Sequence, residues 1–80
     1  MNTNRKLARE LLNDSSLTNF WEIVHEAKIP KADQEILDAR FIRGESITKI
    51  SLEQNYSVEK VNRVIKKAYD KVYNLIYNRV

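Results

Sequence analysis

The sequence predicts an all-α fold of four to five helices, the last of them long. Three observations carry that prediction. The 80 residues include one Gly and one Pro, too little turn chemistry for a many-stranded sheet. Apolar residues recur at spacings of three and four along most of the chain, the period of amphipathic helices. There is no Cys, so a disulfide framework and thiolate sites for zinc or redox chemistry are excluded.

The length predicts one domain over residues 1–80. A chain of this size buries only roughly 60% of the surface it exposes unfolded, so thin stability is expected unless a partner helps. No apolar run approaches the roughly 20 residues that cross a bilayer, and no signal-peptide pattern opens the chain. A soluble cytoplasmic protein without membrane contact is the expectation. The formal net charge is +3. Residues 1–44 balance seven Lys/Arg against seven Asp/Glu, and residues 45–80 hold seven Lys/Arg against Glu45, Glu53, Glu59 and Asp70. A basic half on a neutral half points to an anionic partner for the second half.

Leu7, Ala8, Leu11 and Leu12 mark one face of a first short helix, with Thr3 or Asn4 as its cap and Asn13–Ser16 as the break after it. A second helix follows from Leu17, Phe20, Trp21, Ile23, Val24 and Ala27, with Asn19 and Glu22 at capping-box spacing and Pro30 closing it. Residues 1–30 form this N-terminal pair. A third helix is expected over about 31–43, with Ile36, Leu37, Phe41 and Ile42 as its apolar face. Asp33 and Glu35 in its first turn and Arg40 and Arg43 in its last suit the helix dipole. Gly44 stands where a left-handed C-cap is wanted. Ser46 caps a short fourth helix to about Gln54, with Ile47, Ile50 and Leu52 facing inward. Asn55 tolerates positive φ, and Ser57 caps a fifth helix running to the C-terminal end.

Two short elements joined by a tight turn, after a Gly-ended helix, is the order of a helix-turn-helix, placed at 31–72. Ser51 supplies the small residue wanted where the second helix crosses closely. Asn55 takes the turn, Tyr56 turns inward, and Val61 and Val64 face the core. At these residues the chain resembles a family. Residues 31–76 are similar to region 4 of bacterial sigma factors and the related response-regulator type of helix-turn-helix. The resemblance rests on Glu35 to Gly44, with its Ile-Leu pair, Arg-aromatic pair and closing Gly. It continues ungapped through Ser46, Ile50, Ser57, Glu59, Val61, Ile65, Lys67-Ala68 and Lys71-Val72. Gln54 departs from the family's usual Leu and Asn55 from its Gly. A complete sigma factor needs a further domain for which 80 residues leave no room. The resemblance therefore implies a stand-alone module, as in small phage or mobile-element regulators.

The physical reading of the helix after Ser57 agrees with a DNA-reading role. Such a helix fits the major groove, its N-terminal residues reaching base edges. Arg63 has the fork for guanine, Asn62 pairs with adenine, Glu59 accepts from cytosine and Val58 touches a thymine methyl. Ser46, Lys49, Ser57, Lys60, Lys66 and Lys67 surround that face and suit phosphate contacts. The plain alternative is that these cations form a solvated face.

Over residues 58–80, Val58, Val61, Ile65, Ala68, Val72, Leu75 and Arg79 repeat at heptad spacing, with Tyr69, Tyr73, Ile76 and Val80 beside them. One reading packs this stripe on the other helices. The other makes Val72, Tyr73, Leu75 and Ile76 the interface of a homodimer, because two apolar stripes exceed what one small core absorbs.

His25 lies between Glu22 and Glu26, but one such cluster without further ligands is a weak metal signal and reads as surface. Phe20 and Trp21 read as core, or as a partner anchor. No Gly-rich phosphate loop, nucleophile with a base or paired buried carboxylates appear, so neither enzyme activity nor a cofactor is expected. Two functions are weighed. The first is a sequence-specific transcription regulator on double-stranded DNA. The second is an interaction module that binds RNA polymerase or another regulator with little DNA affinity of its own.

Overall fold

The computed structural model describes residues 3–14 and 16–78, and the side chains of residues 5–14 and 16–75. The fold is all-α: α1 (Thr3–Asp14), α2 (Leu17–Glu26), α3 (Lys31–Leu37) running directly into a π-helical turn (Asp38–Ile42), α4 (Ile47–Gln54) and α5 (Val58–Asn78). No strand occurs among the described residues. Nor is any helix among them long and apolar enough to cross a membrane. The candidate caps Thr3 and Asn4 have side chains outside the described residues.

Helix α2 starts three residues earlier than the Asn19–Glu22 spacing suggests. Ser16 is its cap, its hydroxyl accepting from the Asn19 backbone N–H at 3.3 Å. Pro30 does not close α2 either. The helix ends in a Schellman motif with Lys28 left-handed at φ 56. The N–H of Lys28 donates to the His25 carbonyl at 3.1 Å and that of Ile29 to Val24 at 3.4 Å. Pro30 instead opens α3. Its carbonyl accepts from Asp33 and Gln34 at 2.9 and 3.0 Å, and a Pro loses nothing at a helix start.

The third helix was expected to be α-helical throughout. Its last turn is π, closed by Arg43 N–H donating to the Asp38 carbonyl at 3.0 Å. The wider turn sets Phe41 on the face of Ile36 at i+5, where an α-helix would set it on the face of Leu37 at i+4. Phe41 then packs on the core, Arg40 stays exposed, and Ile42 points out instead of in. Gly44 takes the left-handed position at φ 67, as its place after the helix requires.

Serine caps open α4 and α5 as expected. Ser46 Oγ accepts from Lys49 N–H at 3.1 Å and Ser57 Oγ from Lys60 N–H at 3.0 Å. Between them Asn55 is left-handed (φ 56, ψ 37). Ile50 is buried and Ile47 packs on the core. Leu52 does not face inward: it is 74% exposed.

One core joins all five helices, built on Leu12, Phe20, Val24, Ile36, Leu37, Ile50, Val61 and Val72. An aromatic chain runs through it. Phe20 meets Trp21 edge-on at 5.1 Å and Phe41 at 6.0 Å, and Phe41 meets Tyr69 edge-on at 6.0 Å. Phe20 is therefore a core anchor, and half-buried Trp21 packs beside it. The middle of the heptad stripe of α5, from Val61 to Val72, is spent inside this single chain. Val61, Ile65, Ala68 and Val72 are buried in the core that α1 enters with Ala8 and Leu12. This removes Val72, 0% exposed, from the expected dimer interface. α1 supplies the cover, packing along α5 more extensively than any other pair of helices does. Tyr73 and Leu75 are half-buried, and the side chain of Ile76 lies outside the described residues.

Candidate nucleic-acid interface

The turn between α4 and α5 sets the direction in which α5 leaves the core. Ser51 and Tyr56 exchange two hydrogen bonds: Ser51 Oγ donates to the Tyr56 carbonyl at 2.6 Å, and Tyr56 N–H donates to the Ser51 carbonyl at 3.1 Å. Tyr56 packs its ring on the core, and left-handed Asn55 reverses the chain between them. With Val61, Val64 and Ile65 buried, the opposite side of α5 must face solvent.

That side is a continuous strip. Glu59, Asn62, Arg63, Lys66, Lys67 and Asp70 follow at helical spacing and line an open groove of about 410 Å³, with Arg5 of α1 closing one end. Four cations stand against two carboxylates. Arg63, Lys66 and Lys67 are exposed and make no ion pair among the described residues. Three of the four expected base-contacting residues, Glu59, Asn62 and Arg63, thus share one face. The fourth, Val58, is 43% exposed at the start of α5 and does not line the groove.

The expected phosphate contacts divide. Lys66 and Lys67 lie in the groove. Ser46 and Ser57 are exposed and use their hydroxyls as helix caps. Lys60 lies with Nζ 4.1 Å from the centre of the Tyr56 ring, a cation–π contact. Lys49 is held between two carboxylates, Nζ to Glu45 at 3.6 Å and to Glu53 at 3.8 Å. Arg43 on the same flank reaches Asp38 at 3.3 Å and Glu45 at 3.7 Å. Beside α4 three carboxylates therefore face three cations, since Arg40 also reaches this flank, its Nη1 donating to the Glu45 carbonyl at 3.0 Å. Arg63, Lys66 and Lys67, which have no carboxylate partner among the described residues, lie along α5.

Sequence reasoning missed Arg5 and Asp70. Arg5 donates to Asp70 through Nε at 3.1 Å and Nη2 at 3.2 Å, which raises the guanidinium above its usual pKa, first through the hydrogen bond. The pair is 65 residues apart in sequence, so no local spacing signals it.

Along α2, Thr18, Trp21, Glu22, His25 and Glu26 line a separate open depression of about 450 Å³. Among the described residues no three His, Cys, Asp or Glu converge where a metal ion would sit. Comparison with family models, curated proteins and solved structures finds no match to this chain.

Proposed function

We propose that this protein is a sequence-specific regulator of transcription that reads double-stranded DNA with the first half of α5 in the major groove. One observation carries the reading. The solvent face of α5 presents Glu59, Asn62 and Arg63 together, next to Lys66 and Lys67, beyond a Ser-capped turn that fixes the helix against the core. Arg63 supplies the bidentate fork for guanine, Asn62 the donor and acceptor for adenine, and Glu59 an acceptor for cytosine N4. The lysines behind them neutralise phosphates and set register. Selection of bound duplexes from a random-sequence pool tests it. A short enriched motif whose preference relaxes at one position in Arg63→Ala is the expected result.

Pairing two such helices across a two-fold axis would lengthen the site read. A homodimer through α5 must then use Tyr73, Leu75 and the residues after them, since Val72 is already committed to the core. A second reading, a docking module for RNA polymerase or another regulator, is favoured by Leu52, whose exposed side chain on α4 has no role in the core.

A further inference from the structure

The charge around α5 is one-sided. On the α4 side Asp38, Glu45 and Glu53 engage Arg43 and Lys49 at 3.3–3.8 Å. A DNA backbone lying there would have to displace these carboxylates. On the other side the groove cations Arg63, Lys66 and Lys67 continue to a fourth, Arg5, which comes from α1 and not from the helix-turn-helix.

Arg5 is fixed rather than trailing. Asp70 takes two of the five N–H donors of its guanidinium, through Nε and Nη2. The side chain still keeps 37% of its surface in solvent. Its height along α5 is informative. Asp70 lies eight residues beyond Asn62, about 12 Å at 1.5 Å per residue. The major groove is about 8.5 Å deep. With Asn62 at the base edges and α5 entering N-terminus first, the Arg5–Asp70 pair stands at the level of the phosphate wall.

We infer that Arg5, oriented by Asp70, contacts the DNA phosphodiester backbone, so that α1 supplies the backbone anchor that the self-paired α4 flank does not. The inference rests on the DNA-binding reading above and goes beyond it, giving the N-terminal helix a part in binding. Asp70 is the positioning residue here: it tempers the charge of Arg5 while holding its fork toward the groove.

The test is the salt dependence of binding to a mixed-sequence DNA duplex, followed by fluorescence anisotropy for wild type, Arg5→Gln, Arg5→Lys and Asp70→Asn. Each phosphate neutralised adds about 0.9 to the magnitude of the log–log slope. Arg5→Gln is expected to lower the slope by about that amount, Arg5→Lys to retain it, and Asp70→Asn to keep it at or above wild type with equal or tighter binding. If the pair is merely structural, Arg5→Gln and Asp70→Asn weaken binding alike with the wild-type slope, which overturns this inference and leaves the DNA reading standing. Should Arg5→Gln fail to fold, the double variant Arg5→Gln with Asp70→Asn, which removes both charges of the pair together, decides: a slope lowered by about 0.9 supports the inference, and the wild-type slope overturns it. No binding by the wild type at any salt overturns the function itself.

Discussion

Ser51 and Tyr56 close the turn of the helix-turn-helix on each other, hydroxyl to carbonyl at 2.6 Å and N–H to carbonyl at 3.1 Å. A larger side chain at 51 would lose the first bond and push α5 away. Ser51→Ala keeps the space and loses one part-buried hydrogen bond. It is expected to cost about 0.5–1.5 kcal/mol, read as a lower urea midpoint at unchanged slope. A cost near zero would mean that the turn is held by Asn55 and its backbone bonds alone.

The aromatic chain from α2 to α5 predicts that the N-terminal helices are part of the fold. Phe20 is fully buried between Trp21 and Phe41. Phe20→Ala is expected to cost about 3–5 kcal/mol. An 80-residue domain has about 4–12 kcal/mol in total at usual per-residue stabilities. The variant should lose much of its helical circular dichroism or melt far below wild type. A variant with wild-type melting would show that residues 31–78 fold without α2.

Where the chain was legible, local chemistry and tertiary demand agreed. Ser46 and Ser57 cap helices because their hydroxyls accept from backbone N–H groups that the first turn leaves unpaired, and Gly44 and Asn55 occupy left-handed positions that few other residues accept. The exposed strip of α5 followed from Val61, Val64 and Ile65 facing in. Most misreadings came from longer range. Phe41 packs between Phe20 and Tyr69 in a π turn that leaves Ile42 pointing out, and no local spacing marks that turn. Leu52 is a local misreading: it stands two residues after Ile50, about 200° round the helix, so burying Ile50 turns it to solvent. Val72 looked like spare surface because the resemblance to known helix-turn-helix domains says nothing about α1, which helps close the core around it. Arg5 and Asp70 meet only through that same packing.

Tyr69 gives a pH dependence. Burial raises its phenol above the ordinary 10.0, against the lowering influence of Arg9 and Arg40. In the window above pH 10.0 the folded chain then holds a proton that the unfolded chain has released. Its contribution is full below the unfolded value and is lost as pH rises through the folded one. Tyr69→Phe keeps the edge-on contact with Phe41 and cannot ionise. Melting curves from neutral to alkaline pH are expected to fall less steeply for Tyr69→Phe than for wild type. Identical slopes would contradict a part for Tyr69 in the alkaline loss.

The most direct measurement is the affinity of the purified protein for duplex DNA, by anisotropy, as salt rises from about 50 to 200 mM. Binding is expected to weaken steeply and log-linearly with salt. Lys66→Ala and Lys67→Ala should each reduce the slope by about 0.9, the contribution of one phosphate contact, while Lys49→Ala leaves it unchanged because Glu45 and Glu53 already hold that ammonium. No binding at about 50 mM salt, or binding indifferent to salt and to Lys66 and Lys67, would rule out DNA reading by α5 and leave its face as a solvated surface.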